Sequence, residues 1–277
     1  MVREFTKVDI ETEWGARLTV LREDASHYGD VLTSGVSWEH ETRLLRRLSR
    51  AGAVVLDVGA NYGYTASLFA HHVGQDGRVV SVEPEPVIAG LLARNMAVNG
   101  HDNVEIVTAA AGSEPGSLAL WRSATNLACH ALNPGLVPAP VDHVTVPVTT
   151  LDEVCADRLA GRTPDLLKLD VEGWELEALK GARGVLEKAR PDIWLEFWPD
   201  GLRANGHSPA ELLEFLRAAG YDLTGHDLVT GEEVPAAGEA AIDYCDAAGE
   251  ALRAEGRTDL YGIVYLLARH PDRRPAR

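Results

Sequence analysis

The sequence predicts an α/β protein built as a doubly wound, mostly parallel sheet of seven strands. From residue 53 onward, apolar runs of strand length alternate with helical patterns, the signal for parallel strands joined by crossover helices. The runs are continuously apolar, as strands covered on both faces must be. The stretch Val54-Val55-Leu56-Asp57-Val58-Gly59-Ala60-Asn61-Tyr62-Gly63-Tyr64-Thr65 joins the first strand to its helix through a loop in which small residues let backbone approach a ligand.

The elements follow in order. Residues 1 to 50 give short apolar runs with turns and then a helical pattern over Glu39 to Arg50, with Leu44, Leu45 and Leu48 on one face. This region reads as an N-terminal cap and substrate lid. The first strand is Ala53 to Val58, and its helix runs from Tyr62 to Val73. Gly74-Gln75-Asp76-Gly77 ends that helix, with His71 and His72 placed to meet its last carbonyls. The second strand is Arg78 to Glu83, and the helix after it closes at Asn99-Gly100. Strands at Val104 to Thr108, Leu166 to Asp170 and Ile193 to Phe197 come next, with one helix from Trp174 to Lys188 between the last two. An insertion carries strand segments Ser117 to Trp121 and Val144 to Val148 around a loop at 122–143 rich in Pro, Asn and small residues. After Pro209 a helix leads through Gly220 to a strand at Tyr221-Asp222-Leu223, and Leu260 to Leu267 forms the last strand. The expected organisation is a cap at 1–50, a main domain at 51–269 with its inserted loop, and a flexible tail at 270–277.

Composition narrows the function. The chain has 277 residues, of which 45% are hydrophobic, enough for one elaborated domain. Its 26 basic against 42 acidic residues give a net charge of −16, which disfavours nucleic-acid phosphates as partners. Cys129, Cys155 and Cys245 lie far apart, so neither a zinc site nor a disulfide framework is expected. No apolar run reaches the roughly 20 residues of a membrane helix, and the first residues lack the apolar core of a signal peptide. The expectation is a cytoplasmic protein with a small-molecule partner and no membrane or nucleic-acid partner; a homo-oligomer stays open.

In an open α/β sheet, ligands bind outside the carboxyl ends of the strands, so the residues ending each strand matter most. Glu83 ends the second strand 26 positions after Asp57, where an acid meets ribose hydroxyls in nucleoside-binding folds. A nicotinamide fingerprint would need Gly at positions 59, 61 and 64, and only Gly59 meets it. Lys168, Asp170 and Glu172 follow one another on one side of the fourth strand end, and Glu196 lies on the fifth. Three ionic groups there need a partner or a ligand, and a Lys168–Asp170 ion pair is the structural alternative. Trp174 and Trp198 are either core residues or a platform for a substrate ring. His130 and Asn126 in the inserted loop are placed to orient or deprotonate a hydroxyl, or else are surface residues.

Together Val55-Leu56-Asp57-Val58-Gly59-Ala60-Asn61-Tyr62-Gly63, Val82-Glu83-Pro84-Glu85-Pro86, Leu151-Asp152, the run Asp165 to Glu175 and Lys180-Gly181-Ala182 resemble the FkbM family of S-adenosylmethionine (SAM) methyltransferases. Trp174 stands where that family commonly has a small residue. The resemblance covers roughly residues 35 to 200 and implies a class I, Rossmann-like methyltransferase sheet. It also implies methyl transfer from SAM, often to hydroxyls of sugars, polyketides and other secondary metabolites. Asp57, Gly59, Asn61 and Gly63 would then line the methionine half of SAM and Glu83 would hold its ribose. Ala109, Ala110 and Gly112 would lie near the adenine. Asp170, Glu172, Glu196 and His130 are the candidates to take the acceptor's proton. Mg²⁺ or Ca²⁺ on Asp170, Glu172 and Glu196 would be another way to lower the acceptor pKa, but no metal motif is visible and no metal site is predicted. The alternatives are N- or C-methylation of a small molecule and a non-catalytic SAM-binding regulatory or scaffold protein.

Overall fold

The computed structural model describes residues 6–22, 34–124, 130–236, 238–256 and 262–273. Asn126 and Cys129 lie outside the described residues, as do residues 274–277 of the tail. The chain divides into two compact units, one of residues 1–110 with 115–148, the other of 111–114 with 149–277. Residues 1–50 therefore share a unit with the first strands that follow them.

In the first unit, strands β3 (Val54–Val58), β4 (Arg78–Val82) and β5 (Val104–Val107) pair in that order, all parallel. Every residue of β3 is buried, which explains the apolar Val54-Val55-Leu56 run, and Asp57 is buried with them. Helix α2 (Tyr64–Val73) links β3 to β4, and α3 (Pro86–Val98) links β4 to β5. Pro86 sits in the first turn of α3, where its missing N–H costs nothing, and the Glu85 carboxylate accepts the amides of Val87 and Ile88 at 2.6 and 2.8 Å.

Upstream, β1 (Lys7–Glu11) and β2 (Arg17–Leu21) form an antiparallel hairpin, followed by α1 (Glu39–Leu48). Leu18 and Val20 pack with Tyr62, Leu91, Leu92 and Met96 in one apolar cluster. The edge of β2 would leave backbone groups unpaired, and α3 supplies their partners from side chains. Asn95 accepts the Thr19 amide at 2.8 Å and donates to the Thr19 carbonyl at 3.0 Å; Asn99 does the same for Arg17 at 2.8 and 2.7 Å. Burial and the neighbouring Arg46 charge lower the His72 pKa, and α2 ends at Gly74, whose amide donates to the Ala70 carbonyl at 3.3 Å.

The insertion is more regular than its composition suggests. β7 (Gly116–Ser123) and β8 (Pro140–Thr149) pair antiparallel from Gly116–Val148 to Ser123–Pro140, with the two-residue β6 (Ala110–Ala111) beside β8. The irregular part of residues 122–143 is thus shorter than expected, because cross-strand pairing extends into both ends of it.

In the second unit, β9 (Leu166–Leu169) pairs parallel with β10 (Asp192–Phe197). β13 (Val264–Arg269) pairs antiparallel with β10 and with β11 (Asp222–His226), and β12 (Glu233–Val234) adds antiparallel to β11. Among the described residues the α/β sheet strands number eight rather than seven, three in the first unit and five in the second. The addition is β12, two residues long and too short to leave a pattern in the sequence.

The single helix expected over 174–188 is two, α5 (Glu175–Lys180) and α6 (Arg183–Lys188). Helix α4 (Leu151–Arg158) opens with a capping box of Thr150 and Glu153, and its Asp152 carboxylate accepts the amides of Gly184 and Val185 at 2.9 and 2.8 Å. This interaction starts α6 afresh. Gly181 is required at the break, since a Cβ there would lie 2.0 Å from the Gly112 carbonyl oxygen. α7 (Pro199–Ala204) and α8 (Pro209–Ala218) follow. The sixteen-residue α9 (Glu239–Ala254) has no counterpart in the expected elements, because alanines fill much of the face a helix would mark with large apolar residues.

Candidate functional site

Of the predicted cofactor residues, Asp57, Gly59, Asn61, Gly63, Glu83, Ala109 and Ala110 belong to the first unit and Gly112 to the second. β3 ends in Asp57-Val58, and Gly59 turns the chain with φ 77°, a conformation that suits glycine. The amides of Gly59 and Ala60 donate to the Val82 carbonyl at 2.9 and 3.2 Å, tying the turn to the end of β4. Asn61 is left-handed at φ 49°, which its short polar side chain tolerates, and its Oδ1 accepts the Tyr62 amide at 2.7 Å. Gly63 then opens α2 at φ 89°, where a Cβ would lie 2.4 Å from Leu92 Cδ1.

Glu83 joins this loop to the next strand. Its Oε2 accepts the Asn61 amide at 3.0 Å and its Oε1 accepts the Glu85 amide at 2.9 Å, so the carboxylate is fixed against the glycine turn. A nucleoside fits these residues: a held carboxylate for paired hydroxyls beside a left-handed glycine turn. Asp57 is fully buried, and both its oxygens accept the Thr65 hydroxyl, at 3.1 and 2.9 Å, which ties the end of β3 to the first turn of α2. Ala110 is buried with Leu120, Val146 and Val148 in an apolar cluster.

His130 also belongs to the first unit. Its Nδ1 accepts the Ser123 amide at 3.2 Å, and burial with the neighbouring Arg122 charge lowers its pKa to about 4. The ring is neutral at pH 7 with its proton on Nε2, a donor rather than a base. Arg122 is held by Asp142 at 2.6 Å and lies 3.5 Å from Glu85 at the start of α3.

The predicted acids gather in the second unit. Lys168 is buried and its Nζ lies 3.4 Å from Asp170 Oδ2, which also accepts the Tyr265 hydroxyl at 3.2 Å. β9 ends at Leu169, so Glu172 is placed by the following turn, at φ 56°, and not by strand alternation. Asp170 and Glu172 are half-buried, whereas Glu196 is buried and its Oε2 has no hydrogen-bond partner. Burial, reinforced by the negative charges of Asp170, Glu172 and Glu175, pushes the Glu196 carboxyl well above the usual carboxylate range. The shift favours the protonated form of Glu196 over that of an ordinary carboxylate. Trp198 is buried against Gly201 and is core, while Trp174 is half-buried with its ring 5.8 Å from His207. Among the described residues, no group of three or more His, Cys, Asp and Glu side chains has the arrangement to hold a metal ion. Among them, too, no helix is long and apolar enough to cross a membrane.

Sequence reasoning left out Thr65, Tyr265 and Glu175. Thr65 lies one residue into α2, eight positions after Asp57, and a hydroxyl in the first turn facing a buried acid was the available signal. Tyr265 reaches Asp170 only through the pairing of β10 with β13, and nothing local marks it.

Glycine turn, acid-tipped second strand and doubly wound α/β architecture define the Rossmann-like methyltransferase class. Within it the chain belongs to the methyltransferase FkbM domain family, which matches residues 57–223. Methyltransferase sdnD of Sordaria araneosa is 27% identical over 202 residues, covering 61% of this chain and 74% of that protein. Protein-L-isoaspartate O-methyltransferase 1 of Archaeoglobus fulgidus is 41% identical over 58 residues, 21% of this chain. The chain spans about a quarter of the length of that relative (27%) and of its second Archaeoglobus homologue (26%). Among solved structures, methyltransferase FkbM from Methylobacillus flagellatus KT aligns with a TM-score of 0.42 at 18% identity, covering 62% of this chain and 40% of that one.

Proposed function

We propose that the chain is a SAM-dependent O-methyltransferase acting on a hydroxyl of a small molecule, a secondary metabolite or a sugar. The observation that carries this reading is the Gly59–Gly63 turn clamped to the buried Glu83 carboxylate, inside the segment that matches the FkbM family. SAM, when bound, supplies a methyl group on a sulfonium. On this reading Glu83 receives the ribose hydroxyls and the turn faces the amino-acid end. The remaining task is to orient the acceptor and take its proton. Asp170 and Glu172 suit that task, being half-buried carboxylates, Asp170 lying 3.4 Å from Lys168, while burial raises the Glu196 carboxyl and lowers the His130 pKa to about 4, so that neither favours taking up a proton as an ordinary base. Oxygen as the acceptor atom draws support from the archaeal relatives, which are O-methyltransferases by name over the short shared segment. The β7–β8 hairpin and the N-terminal region, as loops and edges on a rigid frame, are the proposed selectors of the acceptor.

The test is transfer of label from methyl-labelled SAM into a panel of hydroxylated metabolites and sugars, with SAM affinity measured by calorimetry. Labelled ether products support the reading. SAM binding with no transfer to any acceptor class would favour a regulatory protein, and absence of SAM binding would overturn it.

A further inference from the structure

The turn between β9 and α5 holds an uncommon backbone. Glu172 and Gly173 are consecutive left-handed residues, at φ 56° and 85°. Such a conformation in a glutamate is costly and persists only where its surroundings enforce it. On one side the enforcement is steric: a Cβ on Gly173 would lie 2.6 Å from the Gly201 carbonyl carbon, and Asn205 Nδ2 donates to the Gly173 carbonyl at 3.0 Å. On the other side stands Glu175. It is fully buried, and its Oε1 accepts the amides of both Val171 and Gly173, at 3.1 and 3.2 Å. These amides precede the helix that Glu175 begins, so the carboxylate does more than cap α5. Its Oε2 has no hydrogen-bond partner, although the atom is enclosed. A side chain chosen only to start a helix would not bury a second oxygen at this cost.

We propose that Glu175 is the positioning residue that sets the Asp170–Gly173 turn, and with it the aim of the Asp170 and Glu172 carboxylates. The inference rests on the reading above that these two acids act on the acceptor. Glu175 itself touches neither acceptor nor cofactor in this assignment. What it supplies is a double acceptor at one point, fixing two amides and so the backbone between them.

Glu175→Ala, Glu175→Asp and Glu175→Gln, with Asp170→Asn and Glu172→Gln as controls, separate the possibilities. Readouts are amide hydrogen exchange at Val171 and Gly173 and the kinetics of label transfer to the acceptor found in the panel. Ala removes the acceptor and Asp withdraws it, so both should speed exchange at the two amides and lower kcat by about tenfold or more, with the KM for SAM unchanged. Gln keeps the Oε1 acceptor and should stay within about threefold of wild-type kcat. If Glu175→Ala does not fold, the aspartate variant alone decides. Wild-type kcat in Glu175→Asp, or a loss in Glu175→Gln as large as in Glu175→Asp, would overturn the inference. Full activity in both Asp170→Asn and Glu172→Gln would instead overturn the role given to those acids.

Discussion

The two units treat buried carboxylates in opposite ways. In the first, each acid of the cofactor loop has its donors: Glu83 takes two backbone amides, Glu85 two more at the start of α3, and Asp57 the Thr65 hydroxyl. In the second, the charges of Asp170, Glu172, Glu175 and Lys168 surround Glu196, and two enclosed oxygens, on Glu175 and Glu196, have no hydrogen-bond partner. Satisfied carboxylates make a rigid frame that stays put when a ligand arrives. In the crowded group, burial and neighbouring charge raise the Glu196 carboxyl, and that of Glu175 to about 7. On the proposed reading the contrast separates binding from chemistry, and each half of it can be broken by substitution.

The largest effect should come from the crowded cluster. Asp170→Asn keeps the size of the side chain but removes its charge, and should lower kcat by about 10²–10⁴ while leaving SAM affinity intact. Calorimetry and single-turnover labelling read the two quantities separately, and a parallel loss of SAM binding would erase the distinction between the units. Glu83→Ala tests the converse. Losing a charged acceptor typically costs about 1.5–3 kcal/mol, so SAM should bind roughly ten- to a hundredfold more weakly. Unchanged affinity would remove Glu83 from the ribose.

Stability against pH sharpens the comparison further. The Glu196 carboxyl has its pKa raised by burial and by its acidic neighbours, so the folded state binds that proton more tightly than the unfolded state. Its stabilisation is complete at low pH and is lost as pH climbs from the ordinary carboxylate range through the raised value. Wild-type Tm should therefore fall between pH 5 and pH 8. Glu196→Gln, permanently neutral, should flatten this dependence and melt about 2–4 °C higher relative to wild type at pH 8 than at pH 5. Parallel Tm profiles would mean that Glu196 is ionised at neither pH or at both. The smallest effect belongs to Arg122→Ala: its partner Asp142 is exposed, so the change should cost about 0–1 kcal/mol in a urea melt. It should also raise the His130 pKa, by removing a neighbouring positive charge, which an NMR titration would detect.

The strands from residue 53 to residue 223 and the first two crossover helices were legible because buried strands carry mostly apolar runs and helices a repeat near 3.6, whereas α4 and α7 were not expected. The cofactor turn was equally legible, since its conformation depends on a few glycines and one asparagine placed within a dozen residues. Where prediction and structure part, the deciding contact is remote in sequence. Asp152 breaks the 174–188 helix from 32 positions away, and Asn95 and Asn99 hold β2 from α3. The same holds for the acids. By itself the sequence determined the fold class, the glycine turn and the presence of carboxylates at the strand ends, because these rest on local backbone preference and on apolar periodicity. Only the tertiary structure decided which carboxylate braces, which holds a proton and which stays accessible. Those properties follow from burial and from charges brought together by strand pairing, and neither is encoded in the neighbouring residues.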